Sequence, residues 1–120
     1  MASRPRCPAG ALDAGADRRV RMLVVPVAPG AACVRVWVAC LEPFDAEVVR
    51  APPALADMQA AVGGPIEGVE PAPALAMCGF DMYCAEDGRL RGLPPNPAAR
   101  GLAHPYADPD VAGALILVRE

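Results

Sequence analysis

The chain has 120 residues, 54% of them apolar but only 4% aromatic, which fits one domain whose core rests on Val, Leu, Ile and Met. Net charge is −3 and all eleven basic residues are Arg, dispersed apart from Arg18, Arg19 and Arg21; without a basic patch, nucleic-acid binding is not expected, because counterion release needs clustered positive charge. No apolar run approaches the ~20 residues of a membrane span, and the polar, Arg-bearing start lacks the apolar stretch of a signal peptide, so a cytoplasmic, reducing setting is expected for the five cysteines.

Residues 1–17 carry Pro5, Pro8, Gly10 and Gly15 among Ala and Arg, with no period of 2 or 3.6. They read as a flexible leader before a single domain over 18–120. The run Arg19 to Val25 turns from alternating to continuously apolar, as a central strand does. A second run, Cys33 to Leu41, alternates Val34, Val36 and Val38 with other residues, and the Pro29-Gly30 pair suggests that it forms a hairpin with the first. Phe44 to Val49 reads as a shorter, weaker strand.

The clearest helix signal follows, over about 53–62. Pro52-Pro53 sets its start, Leu55, Met58 and Val62 repeat at helical spacing, and Gly63-Gly64 supplies a left-handed stop. Pro65 to Glu70 alternates as an edge strand would. Leu75 to Ala85 is apolar and partly β-like, with Phe80, Met82 and Cys84 on one face. The Asp87-Gly88 pair marks a tight hairpin turn returning through Leu90 to Leu93. Gly101 to Asp110 reads as loop, and Val111 to Val118 as a final, central strand. The fold class expected is α+β: a mixed, mainly antiparallel sheet of five or six strands with one main helix on one face.

From Met58 onward the order of features is distinctive. Met58-Gln59-Ala60-Ala61-Val62-Gly63-Gly64-Pro65-Ile66-Glu67 is followed by Cys84-Ala85-Glu86-Asp87-Gly88-Arg89 and then Leu93-Pro94-Pro95-Asn96. This resembles domain-of-unknown-function family 3846 over about residues 44–118. Pro97 stands where the family usually has Arg, with Arg100 a substitute for it, and residues 33–41 look like an insertion. The resemblance implies a phage or mobile-element setting and no particular reaction.

The candidates for chemistry have plain structural explanations. Cys78 and Cys84 would share a face on one continuous strand, but there is no Cys-x-x-Cys pair and one histidine, His104, so buried thiols are favoured over a metal site. His104 could be a general base if Asp108 or Asp110 oriented it, or could serve Cys84 as nucleophile, yet a loop histidine is usually solvated. Asp before Gly explains Glu86-Asp87 by turn chemistry, and Gly63-Gly64 follows a helix instead of opening one, the wrong terminus for phosphate. Leu93-Pro94-Pro95-Asn96 is the segment local physics explains least. The plainer reading is a structural turn in which Asn96 bonds its own backbone; the other is that two prolines hold Asn96, both donor and acceptor, for contact with a ligand or partner.

The expected function is therefore a non-enzymatic binding protein, a phage or mobile-element accessory acting on a host component. The alternative is a binder that sequesters a small anionic metabolite or nucleotide. Asn96, Arg89, Arg91, Arg100 and Tyr83 are the contact candidates. No catalytic residue, metal or cofactor is assigned; the partner is a protein or a small anion, with no nucleic acid and no membrane, and self-association is left open.

Overall fold

The run Leu115-Ile116-Leu117 is fully buried, and the sheet is organised around it. The computed structural model describes residues 6–107 and 111–120. Its elements in chain order are strands β1 (Leu12–Asp13), β2 (Met22–Val25), β3 (Val34–Trp37) and β4 (Phe44–Val49), helix α1 (Leu55–Val62), strand β5 (Ile66–Val69), helix α2 (Pro73–Met77), strand β6 (Asp81–Ala85), helix α3 (Ala99–Leu102) and strand β7 (Leu115–Val118). The strands form one seven-stranded sheet in the order β1-β3-β4-β2-β7-β6-β5. Among the described residues only the β1–β3 pair is parallel, so the sheet is mixed and mainly antiparallel.

Alternation along the strands sorts side chains into two apolar layers. Leu23, Val25, Met82, Cys84, Leu115 and Leu117 point to one face, where Leu75 of α2 and Ala99 and Leu102 of α3 cover them. Met22, Tyr83, Ala85 and Ile116 point to the other, under Met58, Ala61 and Val62 of α1. The class is α+β, with seven strands instead of five or six and helices on both faces instead of one main helix. Among the described residues no helix is long and apolar enough to cross a membrane.

Local chemistry explains α1 well. Its start is held by Asp57, whose carboxylate accepts the Ala54 amide at 2.8 Å. Its end is Gly63 at φ 78°, whose amide returns to the Gln59 carbonyl. Leu55, one of the three residues of the expected stripe, is exposed; Ala61 packs instead. Helix α2 starts with Pro73 in its first turn, so the first part of the Leu75–Ala85 run is helical, and Cys78 caps α2 instead of sharing a strand with Cys84.

Three expectations are corrected. Strands β2 and β3 are not a hairpin: β4 lies between them, paired antiparallel to both. The tight turn falls instead between β3 and β4, where Cys40 takes φ 74° and Leu41 donates to the Val38 carbonyl. Nor is the segment before Arg18 wholly irregular, since β1 pairs with Val36 and Trp37 and Ala14 is fully buried. Finally, Asp87-Gly88 opens a helical-type turn with no return strand. The Arg91 amide donates to the Asp87 carbonyl and the Leu93 amide to that of Gly88.

A buried arginine closes the sheet. Arg119 is 3% exposed, donates through Nη2 to the carbonyls of Asp17 (2.6 Å) and Val20 (3.1 Å), and lies 4.4 Å above the Phe80 ring. It ties the chain end to the segment before β2. Burial holds its pKa below the ordinary arginine value.

Candidate functional site

Strand β5 is short because Pro65 and Pro71 bracket it, and it forms the outer edge of the sheet beside β6. Where β5 and β6 meet the turn after Ala85 and the approach to β7, the surface folds into a cleft of ≈ 450 Å³. Glu67, Glu70 and Glu86 line it together with Arg89, while Leu90 and Ala112 supply apolar wall. Leu90 is 93% exposed, a large side chain with no core to enter. Gly88 shapes the floor: a Cβ there would stand 3.0 Å from the Ala112 carbonyl oxygen. Close backbone approach, not a positive φ, is what requires glycine at this position.

Cys84 borders the cleft opposite Glu67, toward whose Oε1 its Sγ is directed at 3.7 Å. Burial first, and then the Glu67 carboxylate, push the thiol up to about 11. At neutral pH it stays protonated, which is the wrong state for a nucleophile. His104 lines a second hollow with Asp81, Phe80 and Pro73, and does not border the first. Its Nδ1 accepts the Tyr106 amide at 3.2 Å. The aspartates considered as its orienting partners, Asp108 and Asp110, lie outside the described residues. Among the described residues no group of three His, Cys, Asp or Glu side chains could hold a metal ion.

The contact candidates do not converge. Asn96 is 3% exposed. Its Nδ2 donates to the carbonyls of Val25 and Gly113, both at 3.0 Å, and its Oδ1 accepts the Ala98 amide. The Leu93-Pro94-Pro95-Asn96 segment thus pins the end of β2 to the approach to β7, and the Asn96 side chain is committed inside the protein. Arg91 closes the C-terminus of α1, donating to the carbonyls of Gly63 (2.8 Å) and Val62 (3.0 Å) while pairing with Asp87 at 3.0 Å. Tyr83 is half-buried beneath α1. Arg100 is exposed on α3 and borders neither hollow. Of the five, Arg89 alone lines the cleft.

The acidic lining was missed in the sequence. Its signal was present in Ile66-Glu67-Gly68-Val69-Glu70: an edge strand with a central glycine flanked by carboxylates leaves its backbone approachable and its rim negative. Arg119 was also missed, because nothing in a strand of Leu, Ile and Val announces that the next arginine is buried.

No curated protein and no solved structure matches the chain. A domain of unknown function, DUF3846, matches residues 22–120, beginning well before residue 44 and running through the residues 33–41 that looked like an insertion. With β2 to β7 and both cleft-forming strands inside that match, the chain belongs to the DUF3846 family.

Proposed function

We propose that this chain is a non-enzymatic binding protein that engages a protein partner through the cleft beside β5. The partner is a host component, in the phage or mobile-element setting that the resemblance implies. The observation that carries the reading is the cleft itself, an acidic rim around apolar wall beside the outer strand of the sheet, with Leu90 standing exposed in it. The state of the groups considered for catalysis supports it: the Cys84 thiol holds its proton, and the His104 Nδ1 is engaged by its own loop. A small anion finds less support, since Arg91 and Asn96 are committed internally and, among the described residues, the cleft carries three carboxylates to one guanidinium.

The test is affinity capture from host lysate by wild type and by Glu86→Arg/Leu90→Arg, both positions being exposed. A protein held by wild type and released by the variant supports the reading. The same proteins captured by both, a thermal shift with a nucleotide panel, or metabolite turnover lost in Glu86→Ala would each overturn it.

A further inference from the structure

The backbone of β5 has two sides. Pro65 accepts the Glu86 amide at 2.9 Å, so alternation turns the N–H and C=O of Glu67 and Val69 toward β6 and those of Ile66 and Gly68 outward. Continuing the count, the backbone of Glu70 and Ala72 also faces outward, and there the edge is already occupied. His104 donates to the Glu70 carbonyl at 2.8 Å, Ala72 donates to that of Leu102 at 2.7 Å, and Pro71 and Ala103 form an antiparallel bridge. The chain then turns away, the Ala107 amide donating to the His104 carbonyl. Among the described residues the added ladder therefore stops where Gly68 and Ile66 would continue it. Above Gly68, a Cβ would meet nothing within 4 Å.

We propose that the partner's contacting element is a short, extended, basic segment that adds to the sheet along Ile66 and Gly68, an inference that rests on the cleft being the partner site. Backbone pairing supplies the attachment, as in other strand-addition complexes. Charge selects the occupant: Glu67, Glu70 and Glu86 line the cleft beside this edge, and a guest with Arg or Lys at alternate positions turns its cations to the face that carries Glu67. A second copy of this chain is disfavoured by charge, because pairing β5 antiparallel to itself across Ile66 and Gly68 would set Glu67 against its own counterpart. The end of α1 at Gly63 on one side and the edge already occupied at Glu70 and Ala72 on the other limit the pairing to a few residues, so binding is weak and depends on the cleft for further contact.

The experiment titrates the full chain with a capped hexapeptide of alternating Arg and Val, followed by amide NMR and hydrogen exchange. Exchange at Ile66 and Gly68 slows on binding, while peptides N-methylated at alternate residues, or carrying Glu in place of Arg, do not bind. Glu67→Gln/Glu70→Gln weakens binding about tenfold with an unchanged amide spectrum elsewhere. Binding that shifts Leu90 and Ala112 but leaves exchange at Ile66 and Gly68 unaltered, or survives N-methylation, overturns strand addition while leaving the cleft reading intact. Absence of any shift with the Arg-Val peptide overturns it too. So does a concentration-dependent dimer that protects Gly68 without peptide, which would make the occupant a second copy.

Discussion

Replacing Asn96 by alanine removes three hydrogen bonds at once from a residue that is 3% exposed. Each contributes roughly 1 kcal/mol net, and stranding the carbonyls of Val25 and Gly113 without a donor adds to the loss, so Asn96→Ala is expected to destabilise by about 3–4 kcal/mol. Asn96→Asp retains an acceptor for the Ala98 amide but sets a carboxylate against two carbonyls, and should cost at least as much. The assay is urea unfolding at neutral pH, reading the midpoint and the slope together. A lower midpoint with the same slope is a change in stability of the same folded state. A loss below about 1 kcal/mol in Asn96→Ala would refute the reasoning, because it would mean that this side chain does not join β2 to the approach to β7.

Further consequences can be measured directly. The Arg19 hydrogen bonds hold the Asp17 carboxyl down at about 2 against an ordinary 3.8, so its contribution to stability is complete above about pH 4 and is lost as pH falls through 2; an NMR titration should find that midpoint, and Arg19→Ala should raise it. Cys84, raised to about 11 from 9.0, favours the folded state below pH 9 and stops doing so as pH rises through 11. Glu67→Gln should lower that thiol midpoint in an absorbance titration, and at pH 8 exposed Cys40 should alkylate well before Cys84. Gly113 sits at φ 81°, where a Cβ would lie 2.8 Å from Leu93 Cδ1, so Gly113→Ala should lose roughly 1–3 kcal/mol in the same urea assay. Arg119→Met removes the guanidinium from the Asp17 and Val20 carbonyls and should cost about 2–4 kcal/mol, with Arg119→Lys restoring little because it lacks the planar fork.

What could be read from the residues was what local chemistry dictates. Helix α1 had proline before it, glycine after it and a repeating stripe between. Strand β5 had its bracketing prolines, and β7 its unbroken apolar run, which places it between β2 and β6. The β2–β3 pairing was misread because Pro29-Gly30 has turn chemistry, whereas the turn that makes the actual hairpin uses Cys40 at positive φ, a residue with no turn signature. Asp87-Gly88 misled for the converse reason: its glycine serves the close approach of Ala112, a contact between distant parts of the chain. The candidate site was legible only in outline. Asn96 and Arg91 stand out in the sequence as contact candidates, but their partners are backbone carbonyls of Val25, Gly113, Val62 and Gly63 that only the folded arrangement brings within reach.

Native-state hydrogen exchange on β5 of the free chain puts the open edge to the most direct trial. Amides of Glu67 and Val69, turned toward β6, should exchange slowly, and those of Ile66 and Gly68 rapidly, in strict alternation along one strand. Uniform protection would show the edge already covered, and uniform exposure would show no strand there to extend.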